Sequence, residues 1–213
     1  MRKQENSTQK NKGVFIAIEG IDGAGKTTIA KLLAEKLKEQ GREVILTKEP
    51  RDPCITKHID NITKRGGNPI AEALLFAADR MIHYTNIIKP ALEKGDVIIS
   101  DRYKLSSIVY QSVRGAPRSW VEEVNRYAPE PDITIILDIP VEEALKRLMK
   151  KQNKRLTGLE RQDKLEKIRE TYLEIAEEKG YLVINGMLPP QEIIEKIYRA
   201  ISTNVEIEKD WEV

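Results

Sequence analysis

Apolar residues in this chain follow two rhythms. Short unbroken runs occur at Val14–Ile18, Glu43–Thr47, Val97–Ser100, Ile133–Leu137 and Tyr181–Ile184. Runs of this length, rich in β-branched residues and mostly without polar alternation, predict strands covered on both faces, as in a parallel sheet. Between them the apolar positions recur at three and four. Ile29, Leu32, Leu33 and Leu37 predict a helix over Thr28–Gln40, stopped by Gly41. Asn68-Pro69 reads as a cap followed by a first-turn proline, opening a helix through Tyr84 that Pro90 should kink or restart before Gly95. Ser119-Trp-Val-Glu122 reads as a capping box opening a helix to about Tyr127. Val141–Met149, Glu160–Lys179 and Gln191–Ile201 complete the helical set. The alternation predicts an α/β fold, a three-layer, doubly wound, five-stranded parallel sheet. Ligands of such sheets lie beyond the carboxyl ends of the strands.

One local pattern turns that fold into a chemical expectation. Gly20-Ile-Asp-Gly-Ala-Gly-Lys26-Thr27 fits G-x-x-x-x-G-K-[ST], and it stands between the first predicted strand and the first predicted helix. The backbone N–H groups of Gly20, Asp22, Gly23, Ala24, Gly25, Lys26, Thr27 and Thr28, together with the helix N-terminus, make a cradle for phosphate. Lys26 is expected to reach the outer phosphates and the Thr27 hydroxyl to ligate Mg²⁺. The pattern predicts a nucleoside triphosphate ligand, against the alternative of a glycine-rich turn before an ordinary helix.

The strand ends supply further candidates. Asp101, at the end of the third run, is the expected second metal partner, and Arg102 suits bidentate contact with a phosphate. Asp138 competes with Asp101, but Pro140 follows and Asp138 could serve only to shape that turn. Neither aspartate precedes a glutamate, which counts against a motor-type ATPase. Arg51 follows the second strand. Phe76 and Arg80 share a helix face, as core packing or as a base-stacking and hydrogen-bonding pair.

Bulk properties narrow the field. The 213 residues suffice for one α/β domain, and the net charge of +2 argues against a nucleic-acid binder relying on bulk charge. No apolar run approaches the ~20 residues of a membrane span. The single cysteine, Cys54, excludes an internal disulfide framework and suits a reducing cytoplasm. Residues 1–12 are polar, lack the apolar segment of a secretory signal and read as a disordered tail. Residues 13–203 are expected to form the domain and 204–213 a C-terminal tail. One third of the residues are charged, which fits either heat adaptation or a solvated helical surface. Lys150–Leu159 is polar and basic between two helices, either a solvated linker or a flexible lid closing over phosphates.

These segments together resemble the thymidylate kinases, a branch of the P-loop nucleoside monophosphate kinases. The likeness runs from about Val14 to Ile201. It is carried by Phe15–Thr28, Lys48-Glu-Pro50, Leu75-Phe-Ala-Ala-Asp-Arg80, Asp101-Arg-Tyr103 and Pro131-Asp-Ile-Thr134 leading to Leu137-Asp-Ile-Pro140. The resemblance implies ATP-dependent, Mg²⁺-assisted phosphorylation of dTMP by a cytoplasmic homodimer. It implies that Phe76 stacks on thymine, Arg80 and Gln111 read its edge, and Tyr110 lies beneath the deoxyribose. Asp22 would stand near the sugar 3′-hydroxyl, Ser106 would line the pocket, and Arg147 would lie near adenine. Arg102, with Arg51, would hold the acceptor phosphate, and Asp101 would organise the metal and that phosphate. Two departures matter. Arg51-Asp52-Pro53 replaces the Gly-Gly-Thr of many relatives, and position 23 is glycine where some carry a catalytic arginine. The catalytic cation is therefore expected in the lid, with Arg155 chosen over neighbouring lysines for its planar fork. The rival readings are a kinase for another monophosphate such as dUMP or for a nucleoside, a GTPase switch, and a nucleotide-driven machine. The chain lacks the Asn-Lys-x-Asp guanine reader of the GTPase.

Overall fold

The computed structural model describes residues 12–152 and 161–204. The expected lid and the two expected tails fall almost entirely outside them, and Arg155 with them. The strands are β1 (Val14–Glu19), β2 (Val44–Lys48), β3 (Val97–Asp101), β4 (Ile133–Asp138) and β5 (Leu182–Asn185). They form one parallel sheet in the order β2-β3-β1-β4-β5. The order reverses at β1, so the crevice beyond its carboxyl end is where a ligand is expected.

Strand alternation builds the two outer layers. Val14, Ile16 and Ile18 pack into one buried cluster, while Phe15 and Ala17 enter a second with Ile88, Ala91 and Ile98. Helix α1 (Lys26–Glu39) buries Ile29, Ala30, Leu33, Ala34 and Leu37 against the first cluster, the spacing of a single helix face. Register then places chemistry. Ile18 stands opposite Asp101 on β3, and Lys48 of β2 stands opposite Asp101 on the other side, so the phosphate loop and the Asp101 carboxylate share one edge.

Helix α2 (Pro53–Lys64) and helix α5 (Lys104–Val113) lie outside the helices expected from sequence. The Asp52 side chain caps α2, accepting from the N–H groups of Cys54 and Ile55 at 2.9 and 3.0 Å, with Pro53 in the first turn. Helix α3 (Pro69–His83) opens on Asn68 as expected, its side chain accepting from Ile70 N at 2.9 Å. It passes through a π turn (Tyr84–Ile88) into α4 (Lys89–Lys94), ended by Gly95. The wide turn falls where Pro90 withholds the N–H that an α-helix would direct to Asn86.

The capping box expected at Ser119 does not form. Helix α6 (Arg118–Val124) takes Pro117 as its N-cap, whose carbonyl accepts from Trp120 N and Val121 N at 3.1 and 3.0 Å, so Ser119 lies inside the first turn. Glu122 bonds Arg118 instead, and Asn125 ends the helix with its amide donating to Val121 O. Helices α7 (Val141–Gln152), α8 (Gln162–Lys179) and α9 (Pro190–Asn204) match expectation within a few residues.

Candidate active site

The phosphate loop is shaped by contacts that only glycine permits. Gly20 has φ 134°, and a Cβ there would lie 2.5 Å from Leu137 O on β4. Gly23 has φ 87°, and a Cβ there would lie 2.6 Å from Ala144 O on α7. No side chain caps α1, whose N-cap is Gly25, so the helix entrance is free for an anion. Lys26 is buried and donates to Gly20 O and Ile21 O at 3.0 and 2.8 Å. Burial lowers its pKa to about 8, helped by Arg102 and opposed by Asp22, Asp101 and Glu19. The exposed Thr27 hydroxyl lies 2.5 Å from Asp101 Oδ2. A cavity of about 590 Å³ opens here, lined by Gly23, Gly25, Lys26, Thr28 and Arg147 among others. Ala24 is buried behind the loop.

Arg102 is the hub between this cavity and a second. Among the described residues it is the non-glycine residue held at positive φ, 73°, fixed by its N–H donating to Ile18 O at 3.0 Å. Its guanidinium bonds Asp22 at 2.5 Å, Ser106 Oγ at 2.8 Å and the Tyr110 hydroxyl at 3.3 Å, and it stacks over the Tyr110 ring. Partial burial pushes Asp22 up, but Arg102, Lys26 and the Tyr110 hydrogen bond outweigh it and hold the carboxyl at about 2. Burial drives the Tyr110 hydroxyl well above its ordinary value.

Glu19, not singled out from the sequence, organises this hub from below. It is fully buried and accepts from Tyr103 N at 2.8 Å, Ser106 Oγ at 2.6 Å and the Tyr172 hydroxyl at 3.3 Å. Burial raises its pKa against those hydrogen bonds and the charge of Arg102. Its signal is a charge closing an apolar strand, a position that Asp101 and Asp138 share on β3 and β4.

The second cavity, about 260 Å³, is lined by Phe76, Arg80, Ser106, Tyr110 and Gln111, with Glu49 and Pro50 at its side. Asp22 and Arg102 line both cavities. Phe76 is half-buried and lines this cavity. Arg80 is fully buried and held by Glu49 at 2.8 Å, by Asn125 and by Tyr103 O at 3.4 Å. Gln111 Oε1, Ser107 Oγ and Tyr103 OH are buried without a hydrogen-bond partner among the described residues, and all three residues line this cavity. Buried polar atoms are normally paired, so a ligand carrying N–H and carbonyl groups fits here. Beyond Phe76, Glu72 pairs with Arg114 and accepts from Thr63 Oγ1 at 3.2 Å.

Arg51 is not brought into this cavity. It is exposed, donates to Thr47 Oγ1 at 3.1 Å and lines a neighbouring depression with Lys48 and Asp79. Arg147 is held by Glu143 at 2.8 Å beside the cavity at the phosphate loop. Asp138 is engaged by Arg169 in two hydrogen bonds of 2.6 and 2.8 Å, whereas Asp101 faces Thr27.

A parallel sheet with a phosphate loop after its central strand, and a second cavity sharing a wall with the one at that loop, is the arrangement of a P-loop kinase. The family model described as "Thymidylate kinase" matches residues 18–197. The chain is 45% identical over 208 residues to a probable thymidylate kinase of Thermococcus gammatolerans, covering 92% of this chain and 97% of that one. It is 49% identical over 174 residues to that of Pyrococcus horikoshii, covering 78% and 84%. Against that of Pyrococcus abyssi the figures are 44% over 198 residues, 87% and 94%. The chain belongs to the thymidylate kinase family.

Proposed function

We propose that the protein transfers the γ-phosphoryl group of ATP to dTMP, giving ADP and dTDP. The observation that carries this is the wall shared by the two cavities. Asp22 and Arg102 stand where a triphosphate on the loop and a monophosphate in the smaller cavity would meet end to end. In-line transfer needs that arrangement and little covalent chemistry, so positioning and charge neutralisation carry the rate.

Each residue then has a task. Lys26 leaves its two carbonyl acceptors for the outer phosphates, and Arg102 steadies the acceptor phosphate, already an anion that needs no general base. Phe76 supplies the face on which the base stacks, and the unpaired Gln111 Oε1 takes an N–H from the base edge. Arg80 meets the opposite polar atom, and Tyr110 with Asp22 faces the sugar. Arg147 borders the adenine end. Arg155 in the lid segment and Arg51 at the rim would add charge when phosphate is bound.

Among the described residues no three His, Cys, Asp or Glu side chains cluster as a metal site. Thr27 and Asp101 nonetheless offer adjoining oxygen donors at the loop. That suits Mg²⁺, which keeps most of its waters and takes phosphate oxygens beside one or two protein ligands. Bound there, the ion would neutralise charge building on the transferred phosphoryl group.

The homodimer implied by the resemblance has a surface to use. Ile70, Leu74 and Ile82 lie at intervals of four and eight on α3 and are 37%, 50% and 42% exposed. Among the described residues no helix is long and apolar enough to cross a membrane. With the lone cysteine and near-neutral charge, this favours a cytoplasmic enzyme acting on free nucleotides rather than on nucleic acid. ATP-dependent ADP release across dTMP, dUMP, UMP, dCMP, dGMP and AMP tests the reading. Preference for dTMP is expected; equal turnover of dTMP, UMP and AMP would refute the base assignment.

A further inference from the structure

His83 touches neither cavity's expected substrate in the reading above, yet it sits at the junction of the residues that frame the acceptor. It is buried at the last position of α3, with a side chain entirely shielded from solvent. Its Nδ1 lies 3.0 Å from Glu49 Oε1, and its Nε2 lies 2.8 Å from Thr47 Oγ1. Glu49 Oε2 accepts from Arg80 Nε at 2.8 Å, and Thr47 Oγ1 accepts from Arg51 Nη1 at 3.1 Å. With Nδ1 carrying the ring proton, every donor in this chain finds an acceptor. Arg51 donates to Thr47, Thr47 to His83, His83 to Glu49, and Arg80 donates to Glu49 from the other side. Asp79, one turn earlier on α3, holds the same strand exit by accepting from Arg51 N at 2.9 Å and Asp52 N at 2.6 Å.

We propose that His83 is a positioning residue of the acceptor site, fixing Arg80 through Glu49 and tethering Arg51 through Thr47. The physical ground is that Glu49 has two oxygens and two buried partners. If His83 is removed, one oxygen of a nearly shielded carboxylate loses its partner, and the carboxylate turns to recover a bond. Arg80 then loses the orientation of its planar fork, although none of its own atoms has changed. Burial argues that the arrangement is built for rigidity, since all three of Glu49, Arg80 and His83 are nearly inaccessible. The phosphate loop meets this chain of residues only indirectly, through the backbone bond from Glu49 N to Asp101 O at 3.2 Å that no side-chain change at His83 removes, so it should not register the change.

The inference rests on the proposed acceptor role of the smaller cavity, and the test separates the two. Steady-state kinetics are measured for wild type, His83→Phe, His83→Asn and Thr47→Val, with whichever monophosphate the wild type turns over best, varying it and ATP separately. His83→Phe keeps a ring but removes both hydrogen bonds. It should raise KM for the monophosphate about tenfold and leave KM for ATP within about twofold. His83→Asn can still donate from the Nδ1 position to Glu49 and should recover most of that loss. Thr47→Val removes the Thr47 bonds to Arg51 and to His83 Nε2 but leaves the His83–Glu49–Arg80 contacts in place, and should give a smaller rise. Monophosphate and ATP KM values shifting together, in step with a lowered melting temperature, would mean that His83 is merely structural. Unchanged monophosphate KM in His83→Phe would overturn the proposal outright. A wild type that turns over no monophosphate would instead refute the acceptor cavity, and the positioning role with it.

Discussion

The Thr27 hydroxyl lies 2.5 Å from the Asp101 carboxylate, across the gap between the start of α1 and the end of β3. Parallel pairing of β1 with β3 produces the contact, because Ile18 and Asp101 are register partners and the loop leaves β1 immediately afterwards. The Thr27 hydroxyl donates to Asp101 here, and in the proposed reading the two oxygens would turn to a shared cation when a triphosphate is bound. Asp101→Asn should lower kcat by about a hundredfold and raise the Mg²⁺ concentration for half-maximal rate, with the fold intact. Magnesium titration of the rate checks this, and an unaltered Mg²⁺ requirement would remove Asp101 from the metal site.

Lys26 gives the site a pH signature. In the free protein burial holds its pKa at about 8, so the ammonium is present below that pH and lost above it. Triphosphate favours the charged form, so binding above pH 8 must take up a proton. ATP affinity should therefore weaken by about tenfold between pH 7 and pH 9. Calorimetric titration of wild type and Lys26→Met checks the sign, since the variant should bind weakly with a flat profile over that range. Affinity that tightens with rising pH would contradict the assignment.

Phe76 divides the substrates. Removing its ring by Phe76→Ala should cost about 1–3 kcal/mol of dTMP binding, the range found for base stacking on an aromatic side chain. Affinity for ATP should be unchanged. Separate titrations with each nucleotide decide it. Loss confined to ATP would show that Phe76 is not the base platform.

The apolar line on α3 makes an assembly prediction. Leu74→Glu places a charge at its most exposed member and should convert a dimer to a monomer in sedimentation velocity. A wild-type chain that already sediments as a monomer would discard the homodimer.

Much of this architecture is local, and local features are legible in sequence. The strand, glycine loop and α1 follow each other within a few residues and carry their own periodicity. What escaped detection depends on distant partners or on weak patterning. Helix α2 buries only Ile59, so its apolar signal is faint. Helix α5 begins directly after the β3 strand end without a side-chain cap, and its Leu105, Ile108 and Val109 repeat is short. Glu19 finds its partners on α5 and α8, far along the chain. The resemblance implies that Arg51 helps to hold the acceptor phosphate. Its actual direction is set by Asp79, which draws in the N–H groups of Arg51 and Asp52, and by Thr47, which takes its side chain.

The most direct test of the account follows the phosphoryl group itself. The protein is mixed with γ-labelled ATP, Mg²⁺ and dTMP, and the products are separated over time. The account predicts label in dTDP at the rate of ADP formation, with negligible inorganic phosphate, and the same pattern slowed by about a hundredfold or more in Lys26→Ala. Label released only as inorganic phosphate, with dTMP unchanged, would contradict it.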